Sequence, residues 1–170
     1  GDRLPHLGAG EPPPPEPPFR VVPLAEEPHF VDLVAAWGFA EWGHLAPGRS
    51  LAQRVERVRA GLDPSRLPVV FIALDRAGSP VGTATLMRDD IEGDPRNPWL
   101  ASVYVRPEAR RRGVAGSLVR AVEEAARGLG FARLYLFTAS APALYAGLGW
   151  QARETRDYRG ETITVMDRDL

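Results

Sequence analysis

The feature that most constrains this chain is a strand–helix–strand unit over residues 99–137. WLASVYV (99–105) is rich in β-branched and aromatic residues and is ended by Pro107, as a strand is. Apolar residues at 114, 118, 122, 125 and 129 then follow helical spacing, with Gly128 and Gly130 to close the helix. FARLYLF (131–137) is nearly all apolar, the pattern of a strand buried at the centre of a sheet. What flanks this unit decides the fold class.

On its N-terminal side, FRVVPL (19–24) reads as a short strand. Phe30, Leu33, Val34, Trp37 and Phe39 have helical spacing within residues 28–42. Ser50 and Gln53 make a capping box in front of a second helix, whose face is Leu51, Val55, Val58 and Leu62. VVFIAL (69–74) and VGTATLM (81–87), separated by DRAGSP, read as an antiparallel hairpin, followed by a polar loop over 89–98. On the C-terminal side APALYAGLG (141–149) predicts a short helix with Pro142 in its first turn. Residues 150–158 and 162–169, joined by Arg159 and Gly160, read as a closing hairpin. The order β, α, α, β, β, β, α, β, α, β, β gives a mixed α/β (α+β) sheet, since a doubly wound sheet would alternate throughout.

Charge and composition remove several function classes. Net charge is −1, from 21 basic residues, all of them arginine, and 22 acidic ones, which argues against a general polyanion binder. The chain has no cysteine, so disulfides and thiolate chemistry are excluded. Its three histidines, His6, His29 and His44, form no metal-ligand pair, and no metal site is expected. No stretch approaches the length of a membrane span, and no signal-peptide pattern is present, so a soluble cytoplasmic protein is expected. Residues 1–18 are proline-rich with little to bury; we expect a disordered tail there and a single folded domain over 19–170.

The strand and helix of the central unit are joined by RPEARRRGVAGSLVR (106–120). A helix start offers unpaired N–H groups and partial positive charge, and glycines at 113 and 116 let a ligand approach the backbone. The arginines raise the local potential. This chemistry suits a small phosphorylated ligand, with a solvated helix start or a nucleic acid held by Arg110–Arg112 as the other readings. Neither GxxxxGK[ST] nor GxGxxG is present.

VYVRPEARRRGVAGSLV resembles the coenzyme A motif of the GNAT N-acetyltransferase superfamily, a strand followed by Arg/Gln-x-x-Gly-x-Gly/Ala and a long helix. Arg110, Gly113 and Ala115 occupy its defining positions. LYLFTASAPALYAGLGW is similar to the family's later strand and short helix, ending in Tyr-x-x-x-Gly-aromatic at Tyr145, Gly149 and Trp150. The resemblance covers about residues 19–170. It implies a mixed, mostly antiparallel sheet of six to seven strands flanked by about four helices, with acetyl-CoA as cofactor.

By this resemblance the diphosphate of acetyl-CoA rests on Arg111, Arg112, Gly113, Val114, Ala115 and Gly116, with Ser117 nearby and Arg110 at the rim. The pantetheine arm follows the backbone of Val103, Tyr104 and Val105, and Val103 is placed to polarise the thioester. Thr138 stands where many members have asparagine, and its hydroxyl can still hydrogen-bond. Tyr145 is implied as the proton donor to the leaving thiol. Many relatives carry a carboxylate on the strand before the CoA loop; WLASV has none, so the base is sought among Asp89, Asp90, Glu41 and His44, with Asp90 and Glu41 carried forward as catalytic. Trp37, Glu41, Trp42, His44, Asp89 and Trp99 are expected around the acceptor. The expected reaction is acetyl transfer to a primary amine of a small molecule or peptide, by a monomer or homodimer, without nucleic acid or membrane. The alternatives are a CoA-binding module without transfer activity and a nucleic-acid binder using Arg110–Arg112.

Overall fold

The computed structural model describes Pro12 and residues 18–170, so the expected tail over residues 1–18 lies almost wholly outside the described residues. The elements run β1 (Phe19–Pro23), α1 (Val31–Trp42), α2 (Leu51–Arg59), β2 (Val69–Asp75), β3 (Pro80–Met87), β4 (Trp99–Val105), α3 (Val114–Gly128), β5 (Arg133–Thr138), α4 (Pro142–Gly147), β6 (Gln151–Tyr158) and β7 (Glu161–Asp169). The strands form one seven-stranded sheet in the order β1-β2-β3-β4-β5-β7-β6. Every neighbouring pair is antiparallel except β4 and β5, whose connection through α3 makes them parallel.

Several boundaries differ from the sequence expectation by a few residues, two of them at the starts of the first helix and of β5. The first turn of the 28–42 helix is a 3-10 turn, Pro28–Phe30, with Pro28 at its first position, where a missing N–H costs no bond. β5 begins at Arg133 rather than 131 because the Phe131 amide is still bonded to Ala126 O at 3.0 Å, closing α3 over Gly130 at φ 92°.

The two faces of the sheet are covered differently. On one face α3 lays Val114, Leu118, Val119, Val122 and Ala126 over Phe71, Leu86, Leu100, Leu134, Leu136 and Met166, all buried. Each such side chain contributes about 1.5–3 kcal/mol of burial. On the other face α1 and α2 cover mainly β1 and β2, through Val31, Val34, Val55 and Val58 on Val70, Ile72 and Leu74, with Trp37 of α1 reaching β4. The far end of that face is filled by the loop before β4 and by β7, as Ile91, Trp99, Ile163 and Val165. The middle of this face, over β3 and β4, lies between the two clusters.

One buried polar cluster ties the C-terminal elements to α3. Glu123, 6% exposed, accepts from the Trp150 indole N–H at 3.1 Å and pairs with Arg168 Nε at 3.1 Å. Arg168 also donates to Leu148 O at 2.9 Å. Gly149 lies beneath this guanidinium at φ 95°, where an added Cβ would run into it. Glu123→Ala leaves the indole N–H unpaired and Arg168 without its counter-charge. Because Arg168 keeps partial access to water, the expected loss is about 2 kcal/mol, below that of a fully buried pair. Urea denaturation of the two proteins measures it.

Candidate active site

β4 and β5 meet at a single position, Trp99 opposite Tyr135, with the Tyr135 amide bonded to Pro98 O at 3.0 Å. Beyond it the two strands stay bonded only to their outer neighbours: β4 to β3 as far as Val105 opposite Gly82, and β5 to β7 as far as Thr138 opposite Thr164. The sheet is therefore parted between its two central strands. The C-terminal half of β4 presents backbone N–H and C=O groups to the opening, groups that require partners if water is displaced.

A bulge in β4 lies on this edge. Thr85 faces Ala101 but Thr83 faces Tyr104, so Ser102 and Val103 together oppose Ala84. Ser102 takes φ 55°, unusual for a residue other than glycine, and costs roughly 1–3 kcal/mol of strain. The extra residue bends the strand and frees a peptide group from the β3 ladder.

The N-terminus of α3 lies at the mouth of the opening, at the carboxyl end of β4. Gly113 is its N-cap at φ 83°, and no side chain caps the helix. The amides of Val114, Ala115 and Gly116, at the first positions of the helix, have no intrahelical acceptor. Arg111, at φ 63°, adds a second left-handed residue before the helix, and such turns gather amides around an anion. The arginine run divides by role. Arg110 Nε donates to Val105 O at 2.9 Å and holds the end of β4, whereas Arg111 and Arg112 are exposed.

α4 lies at the carboxyl end of β5, facing α3. Its Tyr145 is 8% exposed, edge-on to Trp150 with ring centroids 6.3 Å apart, and it packs in the same cluster as Leu134. Burial pushes its phenol up to about 12. The hydroxyl has no hydrogen-bond partner among the described residues and is not sealed from solvent. Thr138 Oγ1 accepts from the Ala141 amide at 3.0 Å and the Ser140 amide at 3.4 Å, shaping the turn into α4 and leaving its O–H free to donate.

On the opposite face, the expected acceptor residues separate. Trp37 of α1 stacks on Tyr104 at 5.2 Å, so a helix residue and the bulged strand share one wall. Asp90 is half-buried, and desolvation pushes its carboxyl up to about 7 against the nearby charges of Arg57 and Arg159. Asp89 beside it is exposed. Glu41 is exposed at the end of α1, Trp42 is half-buried, and His44 lies 4.0 Å from Glu161. Trp99 corrects the expectation: it is 0% exposed, packed with Ile91 and Ile163, and its indole N–H donates to Arg96 O at 2.6 Å. It is a core residue because the 89–98 loop folds over it.

Sequence reading missed the arginines beside Asp90 and the Ser102 bulge. Nothing in WLASVYV marks the bulge, where a glycine would have signalled it. Arg159 was legible only as a turn residue.

A mixed sheet parted at its parallel pair, with an uncapped helix start at the mouth, is the architecture of an acyltransferase that takes its acyl group from a coenzyme A thioester. The model of the acetyltransferase (GNAT) family matches residues 29–150, and the chain belongs to that family. Its members use acetyl-CoA. Among solved structures, an aminoglycoside 6'-N-acetyltransferase complexed with coenzyme A is 14% identical with a TM-score of 0.66, over 88% of this chain and 96% of that one. A protein from Exiguobacterium sp. 255-15 assigned as an acetyltransferase is 25% identical with a TM-score of 0.62, over 89% and 93%. A GNAT-family acetyltransferase from Streptococcus pneumoniae is 12% identical with a TM-score of 0.64, over 89% and 99%. A comparison with curated protein sequences finds no match.

The residues at the mouth fit the diphosphate of acetyl-CoA. The amides are unpaired, and a Cβ built on Gly113 would meet only Phe19 Cζ, at 3.9 Å, so the space in front of the helix is open. Gly113→Val places a β-branched residue at φ 83° and is expected to weaken acetyl-CoA binding by more than about a hundredfold. Arg112→Ala removes only an exposed charge and is expected to cost a few-fold, about 1 kcal/mol or less. Titration calorimetry with acetyl-CoA separates the two.

Proposed function

We propose that the chain transfers the acetyl group of acetyl-CoA directly to a primary amine. The observation that carries this reading is the unpaired backbone edge of β4, reached from one side past the α3 N-terminus and Tyr145 and from the other across the Trp37–Tyr104 wall. Two reactants can approach one stretch of backbone from opposite faces.

When bound, acetyl-CoA supplies an acetyl thioester activated toward a nitrogen nucleophile. Arg111 to Gly116 hold its diphosphate on backbone amides, with Ser117 beside them and Arg110 fixing the end of β4. The backbone of Val103 and Val105 would pair with the pantetheine arm, and the Val103 N–H would be available to stabilise negative charge on the thioester carbonyl. Thr138 donates its remaining O–H toward the same arm.

Asp90 takes the proton that the amine must lose, through water, since it lies beyond the end of β3 rather than at the bulge. A carboxyl poised at about 7 is suited to that exchange near neutrality. Tyr145 would hold a phenolic proton available to the coenzyme A thiolate released by the transfer. Its raised pKa keeps it protonated across the working range. The exposed Glu41 contributes less to proton transfer than Asp90, because water screens it.

Tyr145→Phe is expected to lower kcat about tenfold or more with acetyl-CoA affinity unchanged. Free-thiol release and calorimetry read the two quantities; full turnover in the variant would overturn the acid role. For Asp90 the wild-type rate should rise with pH through about 7 as the carboxylate forms, and Asp90→Asn should lose that limb. The stability sign follows from the same shift. A carboxyl whose folded pKa is raised above its unfolded value stabilises the fold below the unfolded value and loses that contribution as pH rises through about 7. Asp90→Asn should therefore melt higher than wild type at pH 8, a comparison made by thermal unfolding.

A further inference from the structure

Four arginines gather where α2, the 43–49 connection and the β6–β7 turn approach one another. Three of them, Arg49, Arg57 and Arg159, line an open groove of about 620 Å³ together with Gln53, Leu45 and Pro47. Arg159 is anchored, donating to Leu45 O at 3.2 Å and lying 3.5 Å from Glu92. Among the described residues no carboxylate lies within salt-bridge distance of Arg49 or Arg57, and Asp90 interacts with Arg57 only at longer range. Behind them stands Arg54, whose Nε is sealed from solvent without a hydrogen-bond partner. Burial, and then repulsion from Arg49, pulls Arg54 and Arg57 below the ordinary guanidinium range.

The local balance of charge is unfavourable as it stands. Asp90, between Arg57 and Arg159, and Glu92, on Arg159, are the carboxylates that face this cluster. Like charges gathered along one groove repel, and an incoming anion relieves that repulsion while a polycation adds to it. Guanidinium groups also match carboxylate and phosphate oxygens in paired hydrogen bonds.

We propose that this groove receives an anionic group, a carboxylate or a phosphate, carried by the amine acceptor, so that the substrate is an acidic or zwitterionic amine and not a polycation. The inference rests on the acetyl-transfer reading above and deepens it. The anion sits on Arg49 and Arg57, and the amine end turns toward Asp90 and the exposed middle of the sheet.

The test uses the full chain with acetyl-CoA and matched acceptors: phenylalanine against phenylalaninamide, phosphoethanolamine against ethanolamine, and spermidine as the polycation. The variants are Arg49→Gln and Arg57→Gln, both at solvent-facing positions. In the wild type the charged member of one pair should be preferred by about tenfold or more in kcat/KM, and that preference should collapse toward unity in the variants, through acceptor KM. Which pair shows it distinguishes carboxylate from phosphate. Preference for spermidine, equal use of charged and neutral members, or an unmoved KM in both variants overturns the proposal. If acetyl-CoA raises the melting temperature but no amine is acetylated, the transfer reading fails on its own. The groove is then judged by calorimetry with inorganic phosphate and glutarate: binding lost in the double variant supports it, and no binding to wild type overturns it.

Discussion

The structure depends on the way β4 and β5 part after one shared position. Each strand is held on its outer side by an antiparallel ladder, β4 to β3 and β5 to β7, so neither needs the other along its length. α3 keeps the halves together from one face, because its apolar stripe packs on Leu100 of one half and on Leu134 and Leu136 of the other. α3 covers one face of the gap along its length but leaves it open at the mouth beside the α3 N-terminus and from the other face, and a ligand in it completes hydrogen bonds that the sheet leaves unmade. The same connection that makes the strands parallel also puts the α3 N-terminus at the mouth of the gap.

Two groups at this site are shifted in the same direction by the same cause, and the proposed reaction uses them at opposite ends. Burial raises both Tyr145 and Asp90. A phenol raised further from neutrality remains a donor, whereas a carboxyl raised toward neutrality exchanges its proton readily. Their placement on different elements, α4 and the loop after β3, keeps them on separate approaches to β4. The buried Glu123–Arg168–Trp150 cluster steadies the Tyr145 side, since Trp150 both packs on that ring and returns its amide to Tyr145 O at 3.0 Å.

Positive potential enters the molecule in two chemically different forms. At α3 it comes from backbone amides, and the arginines of the sequence motif are peripheral or, as Arg110 shows, structural. In the groove near α2 it comes from guanidinium groups with too few counter-charges. A run of arginines in the sequence therefore marked the less arginine-dependent of the two sites. The groove's arginines are scattered over three segments and carry no motif.

Much of the architecture was legible in the residues. Hydrophobic periodicity located the strands and helices, and RRRGVAG with Tyr145, Gly149 and Trp150 pointed to the family, because local backbone requirements write themselves into short stretches. Proximity between distant segments did not. That Trp99 is sealed under the 89–98 loop, that Ser102 bulges, that Asp90 loses water between Arg57 and Arg159, and that Thr138 spends its oxygen on the turn into α4 are consequences of packing. The sequence by itself determined which elements form and where a helix start lies uncapped, since those follow from neighbours along the chain. Only the tertiary structure decided which side chains lose their water and which charges face one another, because desolvation and Coulomb energy depend on distance in space.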